Sequence, residues 1–119
     1  MRYLDPNQPG SKVQFKPRYD NFIGGQWLAP VRGQYFENAS PINGKAFCEI
    51  ARSTAEDIEK ALDAAHAAKG AWGRTSVEHR AGVLLKMADR MEVHLETLAV
   101  AESWDNGNPY AKPWPQTFH

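Results

Sequence analysis

Two periods divide the chain. From Tyr19 to Ile50 apolar residues come in short runs between turn residues, and from Ser53 onward they recur every three or four positions. The first unit, Tyr19-Asp20-Asn21-Phe22-Ile23-Gly24-Gly25-Gln26-Trp27-Leu28, sets two aromatic-rich runs around a Gly-Gly pair. Such a pair reaches positive φ at both central positions of a tight turn, so the segment predicts a hairpin. In the second unit residues 34–38 read as a strand, 40–44 as a turn and 45–50 as another strand.

The helical half opens with Ser53-Thr54-Ala55-Glu56, a capping-box sequence in which serine hydroxyl and glutamate carboxylate would satisfy free N–H groups. Behind it Ile58, Ala61, Leu62, Ala65, Ala68 and Trp72 form one stripe, mostly alanine, on which another backbone can approach closely. Gly70 and Gly73 close this helix. Ser76 opens a second, whose expected buried face is Val77, Ala81, Leu84, Leu85, Ala88, Met91, Leu95, Leu98 and Ala99. His94 stands where that helix either continues or ends and restarts, and the pattern allows both. The expectation is therefore short β-strands with a hairpin, followed by two long α-helices.

The flanks have neither period. Residues 1–18 read as an N-terminal arm with no core of its own, lying on something or staying loose. From Asn108 onward, Pro109, Pro113 and Pro115 exclude a helix or a central strand. At 119 residues the chain holds one domain at most. Fourteen basic and fourteen acidic side chains cancel, so the surplus charge that a nucleic acid or an anionic membrane demands is missing. No run approaches the roughly 18 apolar residues of a membrane span, and the start lacks the apolar stretch of an export signal. With a lone Cys48, these features point to a cytoplasmic protein.

Candidate chemistry is sparse. Cys48 has no basic sequence neighbour to activate it and reads as a buried or half-buried thiol. His66, His79, His94 and His119 share no metal-ligand spacing with one another or with Cys48. Glu92 and Glu96 lie four apart beside Lys86 and Arg90, which reads as a solvated helix surface. Gly24-Gly25 lacks the spacing of a phosphate-binding loop. The residues by themselves yield no catalytic constellation.

Their order adds more. Asn21-Phe22-Ile23-Gly24-Gly25-Gln26-Trp27, then Asn38-Ala39-Ser40-Pro41-Ile42-Asn43-Gly44-Lys45, then Ala61 through Trp72, Arg80, Leu84-Leu85-Lys86-Met87-Ala88-Asp89-Arg90 and Glu102-Ser103-Trp104-Asp105-Asn106-Gly107 follow one another. Over about residues 12 to 109 this resembles the N-terminal end of NAD(P)-dependent aldehyde dehydrogenases, the bacterial acetaldehyde-type members most of all. The resemblance implies an α/β parent fold with a Rossmann-type NAD domain, in which residues 19–109 begin the NAD-binding domain and the two helices flank its sheet. A helix pair that has lost that sheet leaves an apolar stripe uncovered.

The family oxidises aldehydes to carboxylic acids by attack of a cysteine thiolate, hydride transfer to NAD(P)⁺ and glutamate-assisted hydrolysis of the thioester. Those residues, and the ones that hold the cofactor, lie beyond this match, and Cys48 is not at the nucleophile's position. The resemblance thus implies no catalytic and no cofactor-binding residue here, and NAD is expected for the full-length family only. One family feature does fall inside the match. A monovalent cation held by carbonyl oxygens before the Ser-Pro turn and by the Asp-x-Gly aspartate would use Asn38, Ala39 and Asp105, and the competing reading of Asp105-Asn106-Gly107 is a helix-ending turn. Two functions follow. One is a truncated aldehyde dehydrogenase, inactive alone, from a homo-oligomeric family whose subunits are its candidate partners. The other is a small non-enzymatic helical interaction module that binds intact subunits or another protein.

The resemblance breaks after Gly107, where relatives continue with Gly-Lys-Pro and a run like Ile-Arg-Glu-Thr-Leu-Ala-x-Asp-Ile-Pro. Reread from the last base of the Tyr110 codon, the degenerate codons of residues 110–119 permit Arg, Glu, Thr, Leu, Ala, Ala, Asp, Ile and Pro. The fifth is alanine whatever the codon usage, because the last base of tryptophan's TGG and proline's CC spell GCC. Residues 110–119 are therefore expected to be an out-of-frame tail created by a frameshift near codon 110. Sequencing the gene across and beyond codon 119 is expected to show another forward frame running through Arg-Glu-Thr-Leu. A gene in which no frame continues would refute the frameshift.

Overall fold

The computed structural model describes residues 4–108. The tail expected to be out of frame lies outside the described residues. The described chain runs β1 (Arg18–Tyr19), β2 (Asn21–Ile23), β3 (Gln26–Leu28), β4 (Tyr35–Ala39), β5 (Ala46–Ala51), α1 (Ala55–Gly73), α2 (Val77–Val93) and α3 (Leu95–Asn106).

The Gly-Gly turn behaves as its composition dictates. Gly24 and Gly25 take φ of 61° and 80°, and the strands they join pair antiparallel with Phe22 opposite Trp27. The two rings lie 5.1 Å apart. β4 and β5 form the second antiparallel pair, closed by Ser40 N–H to Lys45 O (2.9 Å) and Gly44 N–H to Ser40 O (2.8 Å). Their register steps from Asn38 opposite Cys48 to Ala39 opposite Ala46. Phe47 is thus the extra residue of a β-bulge on β5.

Three features of the strand half depart from the sequence expectation. Arg18 and Tyr19, placed at the boundary of a coreless arm, form β1 and pair parallel with Glu49 and Ile50, making the sheet order β1-β5-β4. Arg18 is held there by Glu49 at 2.7 Å and by stacking 3.8 Å above the Tyr35 ring, contacts between residues distant in sequence. The arm itself contributes a buried residue, Val13, 2% exposed. Both strands of the second pair begin and end one residue later than expected.

The helices show where local signals suffice. Ser76 caps α2 as expected, its Oγ accepting from His79 N–H at 3.0 Å. At α1 the cap moves one residue on. Thr54 is the N-cap, and its N–H donates to Asp57 Oδ2 at 2.8 Å. Ser53 is engaged elsewhere, accepting from Asn21 Nδ2, and Glu56 pairs with Arg32 at 3.2 Å. Asp57 wins because it is buried and its other oxygen accepts from Val31 N–H at 2.9 Å, tying the loop after β3 to the helix start. His94 proves to be a break: its φ of −105° ends α2 and its carbonyl accepts from Leu98 N–H to start α3. Among the described residues three helices therefore stand where two were expected, and Glu92 and Glu96 belong to different ones.

Burial departs furthest from the periodic reading. The face expected to be buried on α2 is open, with Leu84 63% and Leu85 67% exposed, while the buried apolar residues are Val13, Cys48, Ala51 and Val100. An apolar stripe buries only against another surface, and among the described residues none covers α2. α1 does receive a neighbour, at Ala64 beside the alanine stripe. A Cβ placed on Gly24 would lie 3.8 Å from that of Ala64, so the hairpin tip sits close against the helix. Among the described residues no helix is long and apolar enough to cross a membrane.

The amide donors of Thr54 and Val31 hold the Asp57 carboxyl below the usual carboxylate range. A depressed folded pKa contributes stability that is complete above the unfolded value, about 3.9, and is lost as pH falls through the folded value. Acid titration followed by circular dichroism is expected to show helix loss below about pH 4 that is blunted in Asp57→Asn, which starts with less helix at neutral pH. Identical acid limbs in the two proteins would refute this role.

Candidate functional site

Asn38 and Asp105 come together where the far end of α3 meets the turn between β4 and β5, and Ala39 follows Asn38 in β4. Ser40, 1% exposed, makes the junction. Its hydroxyl donates to the Trp104 carbonyl at 2.6 Å and accepts from Ile42 N–H at 3.2 Å. The carbonyls of a helix's last turn lack partners within the helix, so the serine satisfies one of them and fixes the helix end. One residue on, Asp105 Oδ1 accepts from Asn38 Nδ2 at 2.8 Å. Ala39 is the next residue of β4 and ends that strand.

Gly107 completes the corner. It takes φ of 76°, and its N–H donates to Ser103 O at 2.9 Å, a left-handed helix terminus. A Cβ on it would stand 2.9 Å from Pro41 Cγ, so both backbone angle and space call for glycine. The helix-ending turn read from Asp105-Asn106-Gly107 is present, and the aspartate it carries still faces Asn38. The two readings of that motif are compatible.

Cys48 lies beside this pair. It is buried and stands opposite Asn38 across the strands. Burial pushes the thiol above its usual pKa, the Asp105 charge adds to the rise, and a hydrogen bond with Asn38 works against it. Such a thiol stays protonated at neutral pH, the opposite of an activated nucleophile. Sequence reading placed Cys48 inside the protein but missed this proximity, which follows from pairing residues 38 and 48 across the turn.

The remaining candidates stay apart. His66 Nδ1 contacts the Leu62 carbonyl of its own helix at 2.9 Å, His79 meets the Trp72 ring edge-on, and His94 forms the break between α2 and α3. His119 lies outside the described residues. Glu96 meets Lys12 at 3.6 Å. Among the described residues no three His, Cys, Asp or Glu side chains gather as a metal cluster. The oxygen-bearing groups described at the junction are the Asp105 carboxylate, the Asn38 amide, the Ser40 hydroxyl and the Trp104 carbonyl that it bonds, hard groups that are poor ligands for a soft metal.

A sequence profile described as the aldehyde dehydrogenase family matches residues 27–116. The chain belongs to the aldehyde dehydrogenase family. It is 69% identical over 107 residues to an aldehyde dehydrogenase of Deinococcus radiodurans, a match covering 90% of this chain and 21% of that protein. With an acetaldehyde dehydrogenase of Pseudomonas aeruginosa the identity is 64%, over 90% of this chain and 21% of the relative. Among solved structures, PnpE in complex with nicotinamide adenine dinucleotide superposes with a TM-score of 0.76 at 35% identity, covering 77% of this chain and 19% of that one. The chain thus spans about a fifth of the length of the curated relatives it matches. Its strands and helices are a portion of the aldehyde dehydrogenase fold, as the motif order implied. The family match runs on to residue 116, into the segment after Gly107 where the resemblance was expected to stop.

Gly107→Ala is expected to destabilise the junction by about 1–2 kcal/mol from the left-handed backbone alone, with a further cost from Pro41. Faster amide exchange at the end of α3, with that of α1 unchanged, is the expected reading. Iodoacetamide is expected to alkylate native Cys48 more slowly than the urea-unfolded chain, with a pH midpoint above the usual thiol value of about 8.5. Equal rates in the two states would contradict the buried, charge-opposed thiol.

Proposed function

We propose that this chain is the N-terminal portion of an NAD(P)-dependent aldehyde dehydrogenase and that these 119 residues do not catalyse aldehyde oxidation by themselves. The observation that carries the reading is 69% identity over 107 residues to a relative of which this chain covers 21%. Aldehyde oxidation by this family's chemistry needs a thiolate, a base and a bound nicotinamide. The one thiol, Cys48, is buried, held protonated and set beside an acid. On this reading residues 1–18 form the arm, 19–109 the start of the NAD-binding domain and 110–119 an out-of-frame tail. The complete enzyme oxidises aldehydes to carboxylic acids with NAD(P)⁺, works in the cytoplasm and assembles from like subunits.

Within the same reading, Asn38, Ala39 and Asp105 hold a monovalent cation, the first two through backbone carbonyls and the third through its carboxylate. The hard-oxygen character of these groups and the direct Asn38–Asp105 contact support that assignment. The ion would supply positive charge against Asp105 and fasten the helix end to the strand pair.

The purified 119-residue chain, mixed with acetaldehyde and NAD⁺, is expected to form no NADH above a protein-free control, and titration calorimetry is expected to detect no NAD⁺ binding. Aldehyde-dependent NADH formation by this chain would overturn the proposal.

A further inference from the structure

The N-terminal arm is more than a tail laid on the surface. Between Asn7 and Phe15 it closes on itself: Asn7 N–H donates to Val13 O at 3.1 Å, and Asn7 Oδ1 accepts from Phe15 N–H at 2.6 Å. Asn7 takes a positive φ of 65° to do so, a conformation asparagine tolerates. A loop whose ends are tied in this way is compact.

That loop reaches both ends of α3. Lys12 meets Glu96 in the helix's first turn, and Val13 beside it is 2% exposed. At the far end Asp5 and Gln8 share a cleft of about 310 Å³ with Ser40, Lys45 and Trp104. The arm therefore runs beside α3 in the opposite direction, over a helix about 18 Å long. Phe15 anchors the loop to the bulge residue Phe47, their rings 4.7 Å apart. Glu96 and Val100 lie four apart on one face of α3, and Val100 is as buried as Val13.

We propose that residues 5–17 act as a detachable strap that presses α3 onto the turn between β4 and β5 and so keeps Asp105 against Asn38 and over Cys48. The fastening to α3 is light, a half-exposed ion pair and the buried Val13 with no backbone pairing to the helix among the hydrogen bonds described, whereas the root of the strap is tied to the strands by Phe15 against Phe47, Lys16 over the Trp27 ring at 5.5 Å and Glu49 N–H donating to Pro17 O at 2.8 Å. Segments held this way open locally without unfolding the whole chain. When the strap lifts, the Ser40–Trp104 and Asn38–Asp105 hydrogen bonds are left alone to hold the end of α3 to the strands, and the Cys48 thiol meets solvent more often.

The test uses Cys48 alkylation in the full chain, with helix content measured in parallel. Val13→Asp puts a charge in the buried position and is expected to raise the alkylation rate about tenfold or more while the helical signal persists. Lys12→Glu, which sets like charges together, is expected to raise it about threefold, and the swap Lys12→Glu with Glu96→Lys to return it toward wild type. Alkylation within about twofold of wild type in a helical Val13→Asp protein would overturn the strap. If Val13→Asp abolishes the helical signal, Lys12→Glu decides: no acceleration, or acceleration that the swap does not reverse, overturns it.

Discussion

One hydrogen bond closes the chain on itself. Ser40 Oγ and the Trp104 carbonyl are separated by 64 residues in sequence and 2.6 Å in space. The carbonyl belongs to a helix end that would otherwise present unpaired acceptors, and the serine that meets it is itself 1% exposed. Because this contact fixes the end of α3, Asp105 is in reach of Asn38, Gly107 passes under Pro41, and Cys48 is covered. Each of those is a consequence of where the helix stops.

The two halves of the chain are stabilised differently. In the strand half, side chains meet across sequence: Arg18 on Glu49 and Tyr35, Tyr35 hydroxyl on Asp20 at 2.5 Å, Phe15 on Phe47. In the helical half the caps are well made but the apolar faces are mostly open, with Ile58, Leu84, Leu85 and Met91 exposed. Helices take most of their stability from packing an apolar face, and capping contributes only about 1 kcal/mol. The exposed faces and the length ratio to relatives fit together: the helices carry the pattern of a larger fold of which this chain spans about a fifth.

What was legible in the sequence was what short-range chemistry determines. Gly24-Gly25 dictates its hairpin because few residue pairs tolerate two positive φ angles, and Ser76 dictates its helix start because its hydroxyl reaches an N–H three residues on. The misplaced cap at Ser53 shows the limit of that logic. Both Ser53 and Thr54 are competent, and the choice was made by Val31, whose N–H needed the second oxygen of Asp57. β1 was invisible for a similar reason, since two residues carry no period and its partner strand lies some thirty residues away. The open face of α2 was misread because periodicity reports which side a helix would bury, not whether anything is there to bury it. Of the candidate site, Asn38, Ala39 and Asp105 came from the family's motif order. Periodicity could not have united a strand end and a helix end 67 residues apart.

Proximity of Cys48 to Asp105 carries the chemical argument to its end. A cysteine serves as a nucleophile when its surroundings favour the thiolate: a neighbouring cation, a helix N-terminus or a histidine. Cys48 has the reverse of the first two, since the nearby helix presents its C-terminal end, where the partial charge is negative, and the side chain there is a carboxylate. Both contributions oppose ionisation, and burial opposes it further. A cation held at the Asp105 carboxylate, as proposed, would relieve part of that repulsion, so on that proposal the acid that disqualifies the thiol as a nucleophile is also the ion's ligand.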